Sequence, residues 1–285
     1  MRVASDGIEL NVEVQGPEGG PPVAFLHGLS SSTITYDWLP PEIVEGRRVM
    51  KIDLRGHGLS DRAPGTYVLE RYGPDVAEVL RVVAGRPAAL VGHSLGGSVA
   101  WWVAQNHPEL LTAAFLEDPP LYFGEPGANE GSLIPSLFAM MRDRARGWQE
   151  AGVDVKTAAA EIAATPIGPD LTMGDVMVAE ALVGLAESQL RMDPEVFTPA
   201  LDESALRATD LTSPLSVPVT ILAAGVEPVF RPQDEQRLAG THPEVRVIRL
   251  AGAGHGIHDE IANRAAYLEL LAAFLREHAP VEAVV

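Results

Sequence analysis

The chain has 285 residues, 46% of them hydrophobic, which suits one domain of the larger α/β kind or a core carrying a large insertion. Its net charge of −18 argues against nucleic acid and anionic membrane surfaces as partners, and the lack of cysteine excludes disulfides, thiolate nucleophiles and cysteine–zinc sites together. Residues Met1 to Asp6 hold no apolar signal-peptide core and no run approaches about 18 apolar residues, so the expectation is a cytoplasmic protein without a membrane span.

Taken in order, Ile8, Leu10, Val12 and Val14 alternate with polar residues and predict a half-exposed strand. A turn-rich break from Gly16 leads to a short buried strand, Pro22 to Leu26, which runs into His27-Gly28-Leu29-Ser30. Tyr36 to Val44 reads as a short helix bearing Trp38, and Arg48 to Ile52 as the next strand. Asp53-Leu54-Arg55-Gly56-His57-Gly58-Leu59-Ser60-Asp61 follows, a glycine-rich loop in which Asp53 and Arg55 suit charge pairing and turn bracing. Val76, Val79, Leu80 and Val83 have helical spacing within Tyr72 to Val83. Ala88 to Val91 then enters Gly92-His93-Ser94-Leu95-Gly96-Gly97, and a helical run from Ser98 leaves it, ending at Asn106 before His107-Pro108. A strand, a tight turn carrying Gly-x-Ser-x-Gly and a helix together lift a serine hydroxyl above the sheet edge and aim the next N–H, that of Leu95, at the same spot.

Leu111 to Leu116 predicts a strand that ends in Glu117-Asp118-Pro119-Pro120. Proline stops the pairing there and leaves two carboxylates at the C-terminal sheet edge, where open α/β sheets hold their sites. The strand–helix alternation then lapses until about Val217, with helices expected at Leu133 to Glu150, Val155 to Ala163, Met173 to Met192 and Glu203 to Ala208. It resumes with a strand from Pro218 to Ala223, the loop Ala224 to Val229, a helix from Gln233 to Ala239 and a last strand from Val245 to Leu250. The loop Ala251 to Glu260 contains Gly254-His255-Gly256-Ile257-His258, and Ile261 to His278 reads as a closing amphipathic helix, with a frayed tail from Ala279 to Val285. His258 is expected to start that helix as a surface or capping residue.

These motifs resemble the α/β-hydrolase superfamily over nearly all of the chain outside residues 121–215. The resemblance rests on the Ser94 elbow, the His-Gly loop at His27 and Gly28, the Asp-x-Arg-Gly-x-Gly-x-Ser segment at Asp53, Arg55, Gly56, Gly58 and Ser60, and Gly-x-Gly-His ending at His255. It implies an α/β-hydrolase fold: a mostly parallel sheet flanked by helices, with core segments 1–120 and 216–285 and a helical lid at 121–215 inserted after the sixth strand. It further implies Ser94 as nucleophile, His255 as base, and the backbone N–H groups of Leu29 and Leu95 as an oxyanion hole. His27 is expected to brace its loop. Serine at the elbow sets the chain apart from the epoxide hydrolases and haloalkane dehalogenases of this superfamily, which carry aspartate there.

The acid that orients the histidine has two candidates. The superfamily commonly takes it from the loop after the seventh strand as Gly-x-x-Asp, but here that loop reads Gly225-Val226-Glu227-Pro228, one residue short with glutamate for aspartate. Other members, zearalenone-type lactonases among them, take it from just after the sixth strand, and Asp118 lies at a similar separation from the serine (118 − 94 = 24). Asp118 is preferred, with Glu227 as the alternative and Glu117 a distant third; all fit the order serine, acid, histidine.

The implied activity is a serine hydrolase cleaving an ester or lactone of a small, largely hydrophobic molecule through an acyl-enzyme, with no cofactor and no metal. A C–C bond hydrolase or perhydrolase on a similar triad stands as an alternative, and a slow-turnover ligand receptor of this fold as another. Trp38, Leu121, Tyr122, Phe123, Trp148 and Ile257 are candidate substrate contacts, and Phe138, Met140 and Met141 could line the same cleft. The only expected partner is a small-molecule substrate, with a homodimer left open.

Overall fold

The computed structural model describes residues 1–281. Eight strands form one sheet: β1 (Arg2–Ser5), β2 (Ile8–Gln15), β3 (Pro22–Leu26), β4 (Arg48–Ile52), β5 (Ala88–His93), β6 (Leu111–Glu117), β7 (Val219–Ala224) and β8 (Arg246–Leu250). Their spatial order is β1-β2-β4-β3-β5-β6-β7-β8. The two N-terminal strands pair antiparallel and the rest run parallel. The helices are α1 (Pro41–Val44), α2 (Leu69–Val79), α3 (Leu95–Asn106), α4 (Ile134–Ala151), α5 (Val155–Ala163), α6 (Met173–Val176), α7 (Ala179–Arg191), α8 (Thr198–Leu201), α9 (Pro232–Thr241) and α10 (Arg264–His278).

Successive side chains of a strand face opposite ways, so the central strands feed two apolar layers. Ala24, Leu26, Met50, Ile52 and Leu90 pack beneath α2 and α3 on one face. Val23, Phe25, Val49, Val91 and Phe115 pack against Tyr267, Leu271 and Phe274 of α10 on the other. Burial on both faces explains why β3 and β5 read as unbroken apolar runs. All parallel strands end at one edge, and the loops after β3, β5, β6, β7 and β8 gather there.

Helices α4 to α8 lie between β6 and β7, where the alternation lapses. Trp148, Ala158, Ile162, Leu182 and Ala186 give this insertion a small core of its own. It is also fastened to the loop after β8. Val178 N–H donates to Asp259 C=O at 3.0 Å, Ile261 N–H donates to Val176 C=O at 2.9 Å, and Met177 bridges Glu260. No helix among the described residues is long and apolar enough to cross a membrane.

Several elements differ from the sequence expectations, each for a local reason. The helix expected over Tyr36 to Val44 is two single turns, Thr33–Tyr36 and α1, because Pro40-Pro41 disfavours helix in the residues just before it. The long helix expected from Met173 to Met192 breaks at Met177-Val178, where the backbone turns out to bond the loop at Asp259. Glu203 to Ala208 is a turn, its backbone taken up by tertiary bonds such as Leu69 N–H to Ala205 C=O at 2.8 Å. The last helix starts at Arg264 rather than Ile261. His258 is therefore outside it, in a 3₁₀ turn and fully buried, which corrects the expectation of a surface or capping residue. Strand β1 has no counterpart in the sequence expectations, being only Arg2–Ser5. Of the tail expected to fray, residues 282–285 lie outside the described residues.

Candidate active site

Ser94 follows β5 directly and sits at φ 52°, ψ −118°, a setting that costs a non-glycine residue of order 1–3 kcal/mol. Backbone bonds on both sides hold it there. Its N–H donates to Glu117 C=O at 2.9 Å, and its C=O accepts from Ser98 N–H at 3.1 Å. Glycine makes the turn sterically possible. A Cβ on Gly92 would stand 2.2 Å from Gly96 O, and one on Gly96 would stand 2.4 Å from Leu26 O.

The loop after β3 runs against this elbow. A Cβ on Gly28 would meet Ser94 Cβ at 3.3 Å and His93 Nδ1 at 2.9 Å. His27 braces the loop from behind: its Nε2 accepts from Leu54 N–H at 3.0 Å and its Nδ1–H donates to Gly28 C=O at 2.8 Å. Burial, then the neighbouring His57, holds its pKa well below the ordinary histidine value, so the ring is neutral. The N–H groups of Leu29 and Leu95 donate to no protein acceptor among the described residues. Two free donors thus stand beside Ser94.

Asp118 ends β6 in a left-handed turn, φ 40°, and is fully buried. Its Oδ2 lies 2.7 Å from His255 Nδ1, and His255 is itself partly exposed. The carboxylate accepts three backbone N–H bonds as well: Ala224 and Phe230 on Oδ1 at 3.2 and 3.1 Å, and Val229 on Oδ2 at 2.9 Å. Burial favours its protonated form, but the bond and charge of His255 and the N–H groups of Val229 and Phe230 outweigh burial and lower its pKa. Asp118 is therefore ionised and fixed. Glu227 lies exposed in the loop after β7, at φ 45°. That loop gives Asp118 its Val229 and Phe230 N–H groups, while the bond to His255 Nδ1 belongs to Asp118.

The polar loop after β4 is structural. Asp53 accepts from Thr33 N–H, Leu59 N–H and Asn11 Nδ2, tying three segments together. Arg55 pairs with Asp75 at 2.7 Å rather than with Asp53, both side chains being 1% exposed.

Behind the Ser94–His255–Asp118 group lies a second layer that sequence reasoning missed. His258 Nδ1 is 2.8 Å from Glu117 Oε2, and its Nε2 is 3.0 Å from Thr35 Oγ1. His93 Nε2–H donates to the carbonyl oxygen of His255 at 3.1 Å. Burial works against a charge on His258, but Asp259 and Glu117 together raise its pKa to about 9. Burial lowers that of His93 to about 3, with His255 and His258 adding to the effect against Glu117. His93, Glu117 and His258 offer ligand atoms within 4.8 Å of one another. The 2.8 Å between Glu117 and His258 is, however, a shared-proton distance. Two ligands of one tetrahedral zinc stand about 3.3–3.5 Å apart. The geometry is that of an ion pair. The signal for this layer was present in the sequence: Glu117 adjoins Asp118, and His93 adjoins Ser94.

Among the six candidate substrate contacts, Leu121, Tyr122, Trp148 and Ile257 are buried. Trp148 packs inside the insertion, under Arg144 and with Nε1 donating to Glu161, which corrects the expectation that it lines the cleft. Ile257 belongs to the α10 layer and Leu121 to the α2–α3 layer. Trp38 is half-buried and carries the Arg264 guanidinium 3.9 Å above its ring; Phe123 is half-buried near Arg231. Phe138 and Met141 pack on the α2–α3 layer, and Met140 is exposed.

Comparison with known proteins agrees with this architecture. Residues 21–261 match the family described as alpha/beta hydrolase fold. The 2-(acetamidomethylene)succinate hydrolase of Mesorhizobium japonicum is 34% identical over 117 residues, 41% of this chain and 41% of that protein. The sn-1-specific diacylglycerol lipase ABHD11 of Mus musculus is 24% identical over 243 residues, 84% of this chain and 76% of that protein. Of solved structures, the enol-lactonase from Burkholderia xenovorans LB400 superposes with a TM-score of 0.73 at 19% identity, covering 96% of this chain and 99% of that one. Several curated relatives are spanned over no more than 41% of their own length. The match over residues 21–261, together with the sheet order and the elbow, establishes that the chain belongs to the alpha/beta hydrolase fold family.

Proposed function

We propose that this protein is a serine hydrolase that cleaves an ester or lactone of a small, uncharged, largely hydrophobic molecule through an acyl-enzyme. The observation that carries the reading is the 2.7 Å bond from His255 to a buried, ionised Asp118 at the strand end next to the Ser94 elbow. Ser94 Oγ attacks the carbonyl carbon while His255 Nε2 takes its proton. Asp118 keeps the proton of the ring on Nδ1 and stabilises the imidazolium that forms. The N–H groups of Leu29 and Leu95 receive the oxyanion, a contribution of about 3–4 kcal/mol per donor to the transition state. His255 then gives the proton to the leaving alcohol oxygen, and water, activated by the same ring, releases the acid. None of these steps requires a cofactor.

Helices α4 to α8, within residues 121–215, act as the lid over this edge. Their apolar side chains and the acidic surface favour neutral substrates. Esterases and lactonases among the structural neighbours are compatible with this reading. The test is a turnover panel of neutral and charged esters and lactones, with wild type beside Ser94→Ala. Turnover of neutral members by wild type alone is expected. Equal turnover by both proteins, or turnover confined to charged esters, contradicts the reading.

A further inference from the structure

Each member of the Ser94–His255–Asp118 group has a neighbour close by in sequence: the partly buried His93 and the buried His258 and Glu117. These neighbours make a layer of their own beneath the site. His258 Nδ1 faces the Glu117 carboxylate at 2.8 Å, and Nε2 lies 3.0 Å from the Thr35 hydroxyl and 3.4 Å from Asp259 Oδ2. Carboxylate oxygens on both sides of the ring favour its imidazolium form. Glu117 reaches the same loop a second time, through His258 N–H at 2.9 Å.

The groups packed against His258 come from every neighbouring element. β6 supplies Glu117, β5 supplies His93, and the His255 loop supplies Asp259 and His255. The turn before α1 supplies Thr35 and Tyr36, and α10 supplies Arg264 and Tyr267. Asp259 lies 3.4 Å from His258 Nε2 and 3.7 Å from Arg264 Nη2, and Arg264 also pairs with Glu180; burial, with Glu117 adding to it, raises the Asp259 pKa. The loop pinned in this way carries His255 three residues earlier, and Asp259 and Ile261 hold the break between α6 and α7. One buried pair thus lies at the root of both the base and the attachment of the helical insertion.

We propose that Glu117 and His258 are positioning residues: their ion pair, with His93 bonded to the His255 carbonyl, sets the place of the base and docks the helical insertion over the site. The proposal rests on Ser94, Asp118 and His255 being the reacting group. His258 stays charged through neutral pH, and the pair breaks as pH rises past about 9, where the proton leaves the ring.

The test compares wild type, Glu117→Gln and His258→Gln, with catalytic sites counted by stoichiometric fluorophosphonate labelling so that misfolded protein drops out. The expected result is a kcat per labelled site at least tenfold lower in both variants with KM within threefold. In addition, backbone amide exchange at Val178, His258 and Ile261 is expected to be at least tenfold faster, while amides of β3 and β5 are unchanged. A kcat per site within twofold of wild type, or unchanged exchange at those three amides, overturns the proposal. Wild type alone gives an independent check: the ring nitrogens of His258, followed by NMR, carry two protons at pH 7.5 and lose one only near pH 9. A neutral ring at pH 7.5 overturns the proposal even if neither variant folds. Absence of labelling on wild type counts against the proposed function instead, and leaves the NMR and exchange outcomes to decide on the ion pair.

Discussion

Replacing Asp118 with asparagine is the most informative single change in this site. Both oxygens of the carboxylate are saturated with donors. Oδ1 accepts from Ala224 and Phe230 N–H, and Oδ2 accepts from Val229 N–H and His255 Nδ1. An asparagine has one oxygen and one NH₂, so either orientation turns a donor toward donors. With NH₂ on the His255 side, the ring must accept at Nδ1 and carry its proton on Nε2, where it cannot take one from Ser94. With NH₂ on the other side, it opposes Ala224 and Phe230 N–H in a buried place, at about 1–3 kcal/mol for each unsatisfied group. The first orientation leaves more backbone bonds of the loop intact on Oδ1 and is the one expected. Loss of the correct tautomer lowers kcat about 10⁴-fold in serine enzymes of this mechanism, or about 5 kcal/mol in the transition state. Steady-state kinetics on the best ester of the panel measures it, with Glu227→Gln as the control. Glu227 is exposed and makes no hydrogen bond to His255, whose Nδ1 is taken by Asp118, so that variant stays within twofold of wild type. An Asp118→Asn enzyme within tenfold of wild type, or a Glu227→Gln enzyme reduced a thousandfold, would refute the assignment of the acid.

Other consequences can be checked separately. Gly28→Ala places a methyl 2.9 Å from His93 Nδ1 and 3.3 Å from Ser94 Cβ, so the Leu29 N–H is pushed off line and kcat falls about 10²-fold or more with the fold intact by circular dichroism. Gly240→Ala, where a Cβ meets nothing within 4 Å, serves as its neutral control. Asp75→Asn removes the buried carboxylate from the Arg55 guanidinium, leaving it only the exposed Asp6 at 3.6 Å, and lowers unfolding free energy by about 3 kcal/mol in urea titrations. Stability also depends on pH in two limbs. His258 is raised from 6.5 to about 9, so its contribution is whole below about 6.5 and is lost as pH climbs through 9. Asp118 and Glu117 are lowered from 3.8 and 4.5, so theirs is whole above those values and is lost as pH falls below them. Urea midpoints are expected to be highest near pH 6.5, to fall as pH climbs from there through 9, and to fall in acid, where His27 and His93, held neutral by burial, must also take up protons; a midpoint still rising at pH 10 would contradict the His258 limb.

What the sequence made legible was whatever short spacing controls. The elbow at Ser94, the glycines beside it and the apolar runs of β3 and β5 are local patterns, and local sterics and burial leave them few alternatives. The place of the insertion follows from the lapse of the strand–helix alternation after β6. The features that stayed hidden depend on distant partners. Met173 to Met192 has an unbroken helical pattern, yet Val178 and Val176 bond the loop after β8 and split it. His258 looks like a helix start until Glu117, 141 residues away in sequence, is seen to bury and charge it. The choice between Asp118 and Glu227 was of the same kind. Both satisfy chain order, and only the fold turns the shortened loop at Glu227 into a set of backbone donors for Asp118.

The central claim is that Ser94 is an activated nucleophile in an assembled site. Intact mass after treatment with a fluorophosphonate, wild type beside Ser94→Ala, tests it most directly. The account predicts a single adduct on wild type, mapped to Ser94, and none on the variant. An adduct that persists in Ser94→Ala, or a wild type that stays unlabelled while fully folded, would contradict it.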